Sequence, residues 1–180
     1  GDRGEEVQAG AAGAVRVADG GGIHSIISSN VEAPLDHVAV LEDGGHVEVV
    51  DEPPTDVYGH GTAVASVLHR IAPQAEIGSF RVLDARNLSR TAVIGSGVRE
   101  AIRRGYHILN CSFGCRGLPK FVLPHKEWID QAYLDGRHVV AACNNADPRE
   151  PEWPAHFTSV IAVGVSQQPP APDPVDSLHY

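Results

Sequence analysis

Gly59-His60-Gly61-Thr62-Ala63-Val64-Ala65-Ser66-Val67-Leu68-His69-Arg70-Ile71 is the stretch whose pattern settles the fold class. Val64, Val67, Leu68 and Ile71 fall at the i, i+3, i+4, i+7 spacing of one helix face, and Pro73 closes the run. This predicts an amphipathic helix from Thr62, fed by a glycine-flanked loop that carries His60. Short β-rich runs lie on either side. Residues 14–18 read as a strand ending at Asp19-Gly20-Gly21-Gly22, residues 37–41 and 46–50 as one or two more, and 76–83 as the next. Ile94, Val98, Ala101 and Ile102 stripe a second helix, and 106–112 is a buried strand. Trp128, Ile129, Ala132 and Tyr133 mark a third helix stopped near Gly136, followed by strands over 138–142 and 159–165. Strands alternating with helices of this length imply right-handed crossovers. The expected fold is three-layer α/β, a mostly parallel sheet with helices on both faces. Ligands in such sheets sit at the carboxyl ends of the strands.

The chain is long enough for one domain with a core. With 42% apolar and 21% charged residues, and no long apolar run, it reads as neither a membrane span nor a disordered chain. Residues 1–13 read as an N-terminal extension, 14–166 as the domain, and 167–180 as a proline-rich tail that cannot continue a sheet. A formal net charge of −9 argues against a nucleic-acid partner and makes a cationic peptide the more natural one. Nine carboxylates (Asp19, Glu32, Asp36, Glu42, Asp43, Glu48, Asp51, Glu52, Asp56) lie between Val17 and His69, with no Lys or Arg among them. They read as a solvated face, or alternatively as a rim for basic ligands or a hard cation. Three cysteines make no disulfide framework, and no signal peptide is read ahead of the first strand, so the expected compartment is cytoplasmic.

The candidate chemistry sits where strands end. Asp19 projects a carboxylate from a glycine turn, and His60 is an imidazole that needs a carboxylate to hold its tautomer before it acts as a base. Asn144, after Ala141-Ala142-Cys143, is an amide donor able to stabilise an oxyanion.

Together these motifs resemble the subtilisin-like serine peptidases. Val15-Arg16-Val17-Ala18-Asp19-Gly20-Gly21 is similar to the strand that ends Asp-Ser/Thr-Gly, with Gly20 in place of the hydroxyl residue. Gly59-His60-Gly61-Thr62-Ala63-Val64-Ala65 is similar to the His-Gly-Thr-x-Val-Ala block. Ile71-Ala72-Pro73-Gln74-Ala75 and Arg81-Val82-Leu83 resemble the segments that follow it. Ile108-Leu109-Asn110-Cys111-Ser112-Phe113-Gly114 resembles the strand lining the substrate's P1 pocket, and Ala141 to Asn144 the oxyanion block Ala-Ala-Gly-Asn. Trp153-Pro154-Ala155 and Ser159 to Gly164 resemble what comes next. The resemblance implies Asp19, His60 and Asn144 as catalytic groups and Ser112, Phe113, Gly114, Cys115 and Cys143 as substrate-binding ones.

Asp19 to His60 is 41 residues and His60 to Asn144 is 84, against roughly 32 and 91 in subtilisin, a difference loops absorb. The family's serine follows its histidine by roughly 157 residues, and no Gly-Thr-Ser-x-Ala-x-Pro block occurs in these 180 residues. Ser166 and Ser177 lie in or beside the tail, and Gly95-Ser96-Gly97 lacks the spacers of a nucleophile elbow. Cys143 stands where the family has Gly before its asparagine, and Cys115 follows Ser112-Phe113-Gly114. Both are expected near the groove, as a thiol nucleophile or, like Cys111, as small fillers. Zinc at His107, Cys111 and Cys115 lacks a second half; no metal or cofactor is assigned, and calcium stays open.

In the resembled fold the serine's helix covers the sheet, so without it apolar strands such as Ile108-Leu109 and Val139-Val140 would need a cover. The expected partners are a peptide or protein ligand, and a second copy or another chain over that face; no membrane is expected. Three functions follow. The first is a degenerate domain that binds a peptide without cutting it. The second is the N-terminal part of an active endopeptidase, and the third a peptide-modifying enzyme using Asp19, His60 and Cys143.

Overall fold

The computed structural model describes residues 8–17, 36–53, 59–84, 88–147 and 149–165, with 8–17 as backbone. Along them run β1 (Gln8–Val17), β2 (Asp36–Asp43), β3 (His46–Asp51), α1 (His60–Ile71), β4 (Ala75–Arg81) and α2 (Thr91–Arg103). β5 (Ile108–Arg116), a 3-10 turn at Pro119–Phe121, α3 (Val122–Leu134), β6 (His138–Ala142), β7 (Glu152–Trp153) and β8 (Val160–Val163) complete the order. Gly44 and Gly45, both at positive φ (56° and 87°), leave two residues between β2 and β3. That spacing permits only a hairpin, and the pair is antiparallel from Val38↔Asp51 to Asp43↔His46.

The main sheet has the order β3-β2-β4-β1-β5-β6-β8. β2 is parallel to β4, β5 to β6 and β6 to β8, while β1 is antiparallel to both β4 and β5. So β2, β4, β5, β6 and β8 point one way, and β1 and β3 the other. The direction of β1 departs from the parallel run expected of it: Val17 pairs with Ala75 and Val15 with Ile108, where the neighbouring strands begin. Its first seven residues are Gly and Ala apart from Gln8. Such a run has no alternating apolar pattern to specify how a strand enters a sheet.

Helices cover both faces. On β4, Phe80 belongs to the main core with Val93, Ile94 and Val98 of α2 and Trp128, Ile129 and Ala132 of α3. Ile77, of opposite parity and hence on the other face, packs with Ala65 and Leu68 of α1. Close approach is bought with glycine at two positions. A Cβ on Gly97 would lie 2.5 Å from Val82 Cγ1, so Gly97 lets α2 lie close on the residue that follows β4. A Cβ on Gly78 would lie 2.2 Å from Tyr106 Oη, which donates to Asp36 Oδ2 at 2.7 Å.

Four of the six described carboxylates in the acidic stretch are held in ion pairs within the fold. Arg104, after α2, bonds Asp36 and Asp51 at 2.7 Å each and Glu100 at 2.6 Å. Arg81 bonds Glu52 at 2.6 Å, and Arg90 reaches Glu42. The β2–β3 hairpin and the residue after it are thus clamped by Arg90 and Arg104, which flank α2, and by Arg81 of β4. Asp19, Glu32 and Asp56 lie outside the described residues. No described helix is long and apolar enough to cross a membrane.

The bare sheet face differs in detail from expectation. Leu109 and Val139 are buried in the main core. On the opposite face, Ile161 and Val163 of β8 are 52% and 53% exposed, beside Val140 and Ala142 of β6.

Candidate functional site

β5 and β6 run in parallel register from Ile108↔His138 to Cys111↔Ala141, and then part. β5 turns to β7, pairing Cys115 with Trp153 and Arg116 with Glu152. β6 keeps to β8, and Cys143 N–H donates to the Val163 carbonyl at 2.7 Å. Two strands that share a ladder and then diverge leave a slot between their carboxyl ends, where ligands sit in sheets of this kind. Ser112 to Cys115 continue β5 past its last pairing with β6, Cys143 and Asn144 follow β6, and Glu152 of β7 pairs with Arg116 of β5.

Strand alternation sorts the β5 residues. Phe113 and Cys115 turn into the main core, at 2% and 3% exposure, so only their backbone faces the slot. The Cys115 thiol, expected at the groove from its place after Gly114, instead points into the core. Ser112 faces the other way and accepts from Asn110 Nδ2 at 2.9 Å. Cys111 is a buried filler whose thiol is pushed up to about 12 by burial. Cys143 is half-buried beside Asn144 and is the cysteine with the most access.

Asn144 is held by its own turn. Its Oδ1 accepts the backbone N–H groups of Ala146 at 2.8 Å and Asp147 at 3.1 Å. An amide whose oxygen is tied this way has only its NH₂ left to offer, as two donors. Among the described residues no acceptor takes them. Asn144 Nδ2 is therefore a preorganised donor at the strand end, which is what stabilising an oxyanion requires.

His60 is the first residue of α1, and Gly59, at φ 73°, supplies the left-handed entry. The helix therefore begins two residues before the expected Thr62. From Ile71 the chain passes to Ala75 at the start of β4 through three residues, so α1 ends near the amino edge of the sheet. About 18 Å of helix then carries His60 toward the opposite, carboxyl edge. Its side chain is exposed. The carboxylate expected to orient it, Asp19, lies outside the described residues, as do Ser166 and Ser177. Ser96 is in α2, where Arg99 Nη2 donates to it at 3.2 Å.

Glu152 was not among the residues singled out from sequence. It follows a proline in an irregular segment, and no local period marks it. Burial raises its carboxyl above the ordinary range, opposed by the nearby His156. A Cβ on Gly114 would lie 2.7 Å from Glu152 Cδ and 2.8 Å from Oε1. Among the described residues no group of three or more His, Cys, Asp and Glu is arranged to hold a metal ion.

Fold and site together define an α/β domain of the type that works at the carboxyl ends of parallel strands. The sequence profile of the subtilase family, peptidase S8, matches residues 15–177, and the chain belongs to that family. It is 36% identical over 117 residues to the subtilisin-like protease het-Q2 of Podospora anserina, covering 61% of this chain and 32% of that protein. It is 30% identical over 171 residues to subtilisin Savinase of Lederbergia lenta, covering 78% and 62%. Among solved structures, a lanthipeptide protease superposes with a TM-score of 0.52 at 21% identity, covering 64% of this chain and 39% of that one. The chain thus spans between about a third and somewhat under two thirds of the length of these curated relatives.

Proposed function

We propose that this chain binds an extended peptide in the slot between β5 and β6, and that these 180 residues do not by themselves cleave it by the serine mechanism. The observation that carries this reading is that Asn144, just past the end of β6, has its oxygen bound by its own turn, which supports a role for its NH₂ as a donor to a bound peptide. That the relatives are named proteases supports a peptide as the ligand. His60 offers a base, and a base with no positioned hydroxyl activates only water. An oxyanion donor and binding alone leave about 10³–10⁴-fold acceleration over water, far below a working peptidase.

A second reading is favoured by the bare face at Ile161 and Val163. Here hydrolysis is completed by a nucleophile-bearing segment outside these 180 residues, packed on that face. Apolar strand residues exposed side by side are the expected footprint of such a segment.

The test treats the purified chain with a fluorophosphonate probe, an iodoacetamide probe and a fluorogenic peptide, beside a direct binding assay. Binding without turnover is expected. Fluorophosphonate labelling with turnover would overturn the reading, and turnover blocked by iodoacetamide and by Cys143→Ala would move the chemistry to the thiol. Turnover that appears only when a Gly-Thr-Ser-containing segment is supplied supports the second reading.

A further inference from the structure

Glu152 lies against Gly114 of β5. β7 borders the slot because β5 leaves β6 after Cys111 and pairs Arg116 with Glu152. The Glu152 side chain folds back over Gly114: a Cβ there would lie 2.7 Å from both its Cγ and its Cδ. Glycine at 114 is therefore what gives the carboxylate its position against the β5 wall. No ion pair to Glu152 exists among the described residues. Arg116, its neighbour across the ladder, is exposed, and His156 is the nearby titratable group that acts on it.

We infer that Glu152 is the specificity group of the slot and selects peptides that present a lysine or arginine side chain over Gly114. This rests on the proposed peptide slot. A partly desolvated carboxylate without an ion-pair partner is costly to keep charged, and a guanidinium or ammonium delivered by a ligand recovers that cost. An apolar side chain at the same place would bury the carboxylate further with nothing in exchange, and an acidic one would add repulsion. The chain's net charge of −9 favours encounter with cationic peptides in the same sense.

The experiment uses the full chain and fluorescein-labelled hexapeptides of five alanines and one varied residue: arginine, lysine, norleucine or glutamate. Binding is followed by fluorescence anisotropy at low and moderate salt. The expected result is affinity for the arginine and lysine peptides at least about tenfold above norleucine, with glutamate weakest, as for a charge pair formed on partly desolvated ground. That advantage should shrink with salt, and Glu152→Gln should reduce the ratio of arginine to norleucine affinity to near unity. Equal affinity for all four peptides on the unaltered chain overturns the assignment of Glu152 and leaves the slot standing. Failure of every peptide to bind overturns the slot and the assignment with it. Weak binding of all four that strengthens equally in Glu152→Gln would show that the carboxylate plugs the slot, and that too rejects the inference. Because the unaltered chain alone decides the first comparison, a variant that fails to fold does not protect the proposal.

Discussion

Asn144 Oδ1 accepts the Ala146 backbone N–H at 2.8 Å, a bond that closes the turn after β6 and leaves the amide nitrogen as the group able to donate. Acceptor and donor of one side chain therefore do separate jobs, and two substitutions separate them. Asn144→Asp keeps the acceptors and is expected to change stability by no more than about 0.5 kcal/mol. Asn144→Ala, which leaves the turn without its acceptor, should cost about 1 kcal/mol. Both should weaken binding of a peptide ending in a free carboxylate more than that of its amide. Equal stability losses in chemical denaturation would remove the role given to the turn.

Gly78 and Tyr106 compete for one space. Gly78→Ala is expected to destabilise the chain by about 1–3 kcal/mol, because the ring must move and its bond to Asp36 is strained or lost. Tyr106→Leu should cost less in the Gly78→Ala background than in the parent, since the two sites couple through direct contact. A denaturation cycle with strictly additive costs would contradict the close approach.

Acid should loosen the clamp at the end of α2. Above all the Arg103 guanidinium, with Arg104 beside it, holds the Glu100 carboxyl at about 2 against the opposing pull of burial. A carboxyl held below its ordinary value of 4.5 contributes stability that is present above pH 4.5 and lost as pH falls toward 2. Glu100→Gln should flatten the fall in melting temperature within that window and leave stability nearly independent of pH above it. An unchanged pH profile would mean that solvent already screens the pair.

The face at β8 predicts dye binding. Ile161 and Val163 should bind an apolar dye such as ANS in the folded chain, and Ile161→Thr with Val163→Thr should reduce the signal with little loss of stability, since both side chains are about half exposed. A loss of several kcal/mol in denaturation would show that the face is already packed.

Much of the domain was legible because its signal is local. The 3.6-residue period of Val64, Val67, Leu68 and Ile71 marked α1, and similar stripes marked α2 and α3. The strand over 138–142 was found with its bounds as they stand in β6. The strand-end Asn144 and the helix-opening His60 follow from their places beside those elements. β7 was missed because two residues, Glu152 and Trp153, carry no period at all.

By itself the sequence determined the α/β layering, the elements that carry His60 and Asn144, and the family these motifs belong to, since each depends on residues a few positions apart. Only the tertiary structure decided that β1 runs against its neighbours, that Phe113 and Cys115 turn into the core, and that Arg104 meets Asp36 across 68 residues of chain. It likewise decided that Glu152 comes to lie on Gly114. The physical reason is that hydrophobic period acts along a segment, whereas strand direction and charge pairing are settled between segments. A run of Gly and Ala has no apolar face to choose a direction, and a carboxylate has no local signal for the arginine that will find it.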